Sequence, residues 1–72
     1  MKNALSKLRK KLGLTYKAMA ERTGITAPSV YFHCSGKVKV SAENALKYHR
    51  AFNIPLTELR PDIWPPMGVQ HG

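Results

Sequence analysis

Apolar residues recur along most of this chain at helical spacing. In KNALSKLRKKL, Leu5, Leu8 and Leu12 fall at i, i+3 and i+7 and predict a helix over 2–12 with one apolar stripe. Gly13 suits the left-handed residue that ends it, and Leu14 packs at the junction. Thr15 is a good N-cap for a second helix carrying Ala18, Met19 and Arg22, and Gly24 breaks that helix by supplying a positive φ. Thr26 caps a third helix, about 26–35, that tolerates Pro28 in its first turn and ends at Gly36. Ser41 caps a fourth, with Ala42, Ala45, Leu46, His49 and Phe52 as its buried face. Asn53 terminates it, Ile54 plugs the core, and residues 55–59 form a short helical turn stopped by Pro61.

Two segments depart from helical spacing. In residues 36–40, Lys37 and Lys39 alternate with Val38 and Val40. A short strand fits that pattern, but an extended loop with its valines inward and lysines outward fits better, since strands rarely stand alone. After Pro61, Pro65 and Pro66 exclude regular helix. The expected organisation is a domain over 1–60 and a proline-containing arm over 61–72, partly disordered and frayed from residue 67. The fold class is all-α.

The joint between the second and third helices is the informative one. Ala20 is small where the two would cross, Gly24 follows four residues later, and Val30 six after that. With Ile25 sealing the turn, this is the spacing of a DNA-binding helix-turn-helix, although any αα-hairpin needs a glycine turn and an apolar seam.

Charge favours the DNA-binding reading. The chain holds 12 Lys and Arg against 4 Asp and Glu, a formal net charge of +8. Before residue 40 the only acid is Glu21, while Lys47, Arg50 and Arg60 are balanced afterwards by Glu43, Glu58 and Asp62. The motif therefore lies in the basic half, which points to a polyanionic partner. Seventy-two residues build one small core, which dimerisation would reinforce. A single cysteine, Cys34, excludes an intramolecular disulfide and suggests a reducing, cytoplasmic setting. No apolar run approaches a membrane span, and the first residues lack a signal-peptide core. Adjacent His33 and Cys34 do not make a zinc motif, and no triad or phosphate-binding glycine loop is present, so no metal, cofactor or enzymatic activity is expected. A satisfied, semi-buried His33 and an inert, packed Cys34 are the simpler reading.

The run Gly24-Ile25-Thr26, Ser29-Val30 and Gly36-Lys37 resembles the lambda-repressor-like helix-turn-helix domains of the Cro/C1 and Xre type. Leu59-Arg60-Pro61-Asp62-Ile63-Trp64-Pro65, after SAENALKYHRAFNIPLTE, is similar to the Cro-like YdaS group of prophage-encoded regulators. The resemblance covers roughly residues 15–66. It implies a small five-helix all-α domain and a phage or prophage transcription repressor. One short recognition helix covers about half of an operator, so a homodimer on a double-stranded, palindromic operator is expected. Two positions depart from the pattern. His33 stands where a large apolar residue is usual, and Tyr16 replaces a glutamine that often begins the first motif helix.

A recognition helix presents its N-terminal residues to base edges. Here these are Thr26, Ala27, Pro28, Ser29, Tyr31 and Phe32, with Phe32 equally able to join the core. No Arg, Asn or Gln occurs in this helix, so the bidentate contacts to guanine and adenine are unavailable from it. Phosphate contacts are expected from Thr15, Tyr16 and Lys17 at a helix N-terminus, and from Ser35, Lys37 and Lys39. Lys7, Lys10 and Lys11 either reach the backbone or form a solvated face. Two other functions stay open: a non-specific RNA-binding protein, and an antitoxin-like adaptor anchored by Ile63 and Trp64.

Overall fold

The structure, a computed structural model, describes residues 4–65. Within them lie α1 (Ala4–Leu12), α2 (Tyr16–Thr23), α3 (Ala27–Ser35), α4 (Ala42–Phe52) and α5 (Leu56–Leu59), with no strand. The frayed tail expected over 67–72 lies outside the described residues.

Local chemistry sets the boundaries. The Thr15 hydroxyl accepts from the Ala18 amide at 3.0 Å, and the Ser41 hydroxyl from the Asn44 amide at 3.1 Å. Each satisfies an amide that the first helical turn leaves without a backbone acceptor. Gly24 leaves α2 at φ +80°, and its amide returns to the Ala20 carbonyl at 2.8 Å. Asn53 ends α4 at φ 59°, a conformation asparagine tolerates better than most side chains. Thr26 occupies the N-cap position of α3 but makes no capping bond; its hydroxyl donates to Ser29 Oγ at 2.9 Å.

Leu5, Met19, Ile25, Val30, Cys34, Val40, Ala45, Tyr48 and Ile54 form the core. Helix α3 packs against both α1 and α2, while α4 packs against α2 and α5. Leu14, Ala20, Leu59 and Trp64 pack on the rim of this core. Trp64 therefore covers its own domain rather than standing free for a partner.

Three expectations of burial need correction. Leu12, in the last turn of α1, is 49 % exposed. Val38 is likewise exposed, and only Val40 of the loop turns inward. On α4 the buried pair is Ala45 and Tyr48, whereas Ala42 is exposed and Leu46, His49 and Phe52 are half-buried. Tyr48 has a buried polar partner that periodicity does not reveal. Its hydroxyl shares a 2.8 Å hydrogen bond with Nδ1 of His33.

The segment after α5 has a defined structural role. The Arg60 guanidinium donates to the Val40 carbonyl, twenty residues earlier, and forks onto both carboxylate oxygens of Asp62. The amides of Ile63 and Trp64 return to the Arg60 carbonyl at 3.0 and 2.9 Å. This turn sets Trp64 against the core and ties the end of the domain to the loop carrying Lys37 and Lys39.

Candidate nucleic-acid interface

Helix α3 has two unlike faces. Val30, His33 and Cys34 point into the core, while Pro28, Tyr31, Phe32 and Ser35 are exposed. Pro28, Phe32 and Ser35 fall at i, i+4 and i+7, so they run along the middle of the outer face. Ala27 and Ser29 are half-buried on its flanks, and Thr26 is exposed at its start. Phe32, 39 % exposed, belongs to the outer face.

Tyr31 is 45 % exposed but is held in place from one side. The Tyr16 ring meets it edge-on, with centroids 5.4 Å apart and planes at 88°. Phe32 lies 5.6 Å from Tyr31 at a tilt of 58°. Behind Tyr16, the Arg9 guanidinium sits 4.5 Å from the ring centroid and donates to the Leu14 carbonyl at 3.0 Å. The sequence pattern groups Arg9 with a cationic face and does not reveal this role. Arginine stacks on aromatic planes where lysine does so less well, and that preference is the available signal.

The expected phosphate-binding residues form two groups. Thr15, Tyr16 and Lys17 occupy the start of α2, with Thr15 and Lys17 exposed and Tyr16 half-buried against Tyr31. A helix N-terminus directs amide N–H groups and a partial positive charge outward. Ser35 is the last residue of α3, and Lys37 and Lys39 follow it in the loop, all exposed. The Lys37 amide closes that turn on the Phe32 carbonyl at 3.1 Å, and the Ser35 hydroxyl donates to the same carbonyl. Among the described residues no hydrogen bond or ion pair joins Thr15 or Lys17 to the Lys37–Lys39 loop. The two groups are related through α3. Hydrogen bonding from Arg60 holds the Asp62 carboxyl down, at about 2, and the charge of Lys39 adds a smaller push in the same direction.

The inner face of α3 is chemically quiet. Burial holds the His33 imidazole below its ordinary value, so the neutral ring pairs with Tyr48. Burial also pushes the Cys34 thiol up, against the opposing influence of Arg9, which disfavours the reactive thiolate.

No helix among the described residues is long and apolar enough to cross a membrane. Neither the curated proteins nor the solved structures include a match to the chain. A family model described as helix-turn-helix, of the Cro/C1 type, matches residues 5–59, which spans α1 to α5. The capped α2, the left-handed glycine turn, the two-faced α3 and this match lead to one conclusion: the chain belongs to the Cro/C1-type helix-turn-helix family of DNA-binding transcription regulators.

Proposed function

We propose that this protein is a sequence-specific transcriptional repressor of the Cro type, of phage or prophage origin and related to the YdaS group, acting in the bacterial cytoplasm. Helix α3 enters the major groove of a palindromic operator. Thr26, Ala27, Pro28, Ser29, Tyr31 and Phe32 face the bases, while Thr15, Tyr16, Lys17, Ser35, Lys37 and Lys39 contact the backbone on either side. The observation that carries this reading is the outer face of α3. It exposes aromatic and hydroxyl groups without any charge, while exposed cations stand at the start of α2, whose Tyr16 touches Tyr31, and in the loop after α3. Such a division matches the physics of duplex recognition, in which phosphate contacts position and base contacts specify.

One short recognition helix covers about half of an operator. Two copies about 34 Å apart, one turn of the duplex, are the geometric solution. With the basic half on DNA, α4 and the segment after Pro61 are left for self-association. Among the described residues of that segment, Ile63, 40 % exposed, is the apolar side chain available, since Trp64 packs on its own core.

Selection of bound duplexes from a random-sequence pool tests the proposal. The expected result is enrichment of a two-fold symmetric site with half-sites about 10 base pairs apart. Equal binding of all duplexes, or preference for structured RNA, would contradict it.

A further inference from the structure

Resting on that reading, we infer that the aromatic cluster of Tyr16, Tyr31 and Phe32 makes this interface a reader of thymine methyl groups. Over Ala27–Ser35, α3 carries no Arg, Lys, Asn, Gln, Asp or Glu, so its outer face has no fork of donors and acceptors for a purine edge. What it presents is the apolar surface of Pro28 and Phe32, with Tyr31 beside them. Of the groups the four base pairs expose in the major groove, the C5-methyl of thymine is the apolar one. The base it distinguishes is therefore set by the composition of the helix.

Rigidity adds to the argument. A solvent-exposed ring free to change rotamer would lose that freedom on contact, which costs about 0.5–1.5 kcal/mol per side chain. Here the rings are already held. Arg9 is anchored to the Leu14 carbonyl and lies over Tyr16, Tyr16 meets Tyr31 edge-on, and Tyr31 supports Phe32. The surface that meets the methyl groups is pre-formed, and Arg9 and Tyr16 act as positioning residues for it. The neighbouring hydroxyls of Thr26 and Ser29 are partly engaged with each other. They add hydrogen-bonding capacity compatible with several bases, and little discrimination.

The test replaces thymine by deoxyuridine, which removes the methyl and leaves the base-pairing edge intact. Duplexes selected from a random pool are resynthesised with deoxyuridine at each thymine in turn, and their affinity is measured. The expected result is a loss of about fourfold at each contacted position, the equivalent of one buried methyl group. Phe32→Ser, checked for an unchanged melting curve, should bind the thymine and deoxyuridine duplexes alike. Phe32→Leu, which stays apolar, should retain part of the discrimination. Wild-type protein that binds both duplexes with equal affinity overturns the inference while leaving DNA recognition intact. Failure to bind any duplex overturns the inference together with the reading it rests on.

Discussion

The two halves of this domain use their polar groups in opposite ways. From α4 onward, several polar side chains close on the protein itself. His49 Nδ1 meets the Ile54 carbonyl at 2.8 Å, Tyr48 meets His33, and Arg60 joins Val40 to Asp62. Its cations and acids balance. From α1 to the loop after α3, the cations outnumber the single acid Glu21 and most of them face solvent. Hydrogen-bonding side chains there serve mainly caps and turns. The lesson is a division of labour: one half satisfies itself and holds the other half's surface in position for an external polyanion.

The most severe way to break this division is to remove the residue that joins the halves. Tyr48 is fully buried and bonded to α3 through His33. Tyr48→Ala should cost about 3–5 kcal/mol, a large part of the stability of a domain this small. Thermal melting would check it, and a melting temperature within a few degrees of wild type would contradict the packing described.

Gly24→Val attacks the motif itself. A Cβ built at Gly24 meets nothing within 4 Å, so the cost is conformational rather than steric crowding. At φ +80° a β-branched residue is strained, and a loss of more than about 1 kcal/mol is expected. Gly24→Asn should lose less, because asparagine tolerates this region. Denaturant unfolding of the pair would reveal the order.

Acid should separate the halves more gently. Burial lowers the His33 pKa, so the unfolded chain binds the proton more readily than the folded one. The stabilisation is complete above the unfolded value, about 6.5, and is lost as pH falls from there through the folded value. Melting temperature should therefore fall between pH 7 and pH 5, and His33→Leu should flatten that part of the profile. A rise in melting temperature over the same interval would contradict the assignment.

The binding half can be probed by charge alone. Lys39→Ala should weaken binding to all duplexes by a similar factor and reduce the log–log salt slope by about one. Arg60, whose bond to Val40 fixes the neighbouring backbone, should be coupled to Lys39 in a double-mutant cycle.

What the sequence disclosed follows the range of the interactions. Thr15, Gly24, Ser41 and Asn53 act within four residues of themselves, and each was legible. The inward positions of Ile25 and Val30 were legible because the helix-turn-helix spacing constrains both. Tyr48 was not, since its partner lies fifteen residues away and its ring carries a polar tip that periodicity scores as ambiguous. Arg60 stands out in the sequence only as part of the Leu59–Pro65 run, and its structural role depends on a contact across twenty residues. Leu12 continues the apolar stripe of Leu5 and Leu8, yet it is left exposed in the last turn of α1. In the candidate interface, the residue types and their order were legible, but the support of Tyr31 by Tyr16 and Arg9 was not. It requires α1, α2 and α3 to be placed together.

The central claim is that the outer face of α3 reads duplex DNA. Ser29→Glu tests it most directly, because it leaves the helix well supported. The new carboxylate, three residues after Thr26, would complete a capping box at the start of α3, and an acid in the first turn suits the helix dipole. The same carboxylate would face phosphates and base acceptors on the bound surface. Affinity for the selected duplex should be measured beside thermal melting. Specific binding should be lost while the melting temperature stays unchanged or rises. Wild-type affinity in a folded Ser29→Glu protein would contradict it.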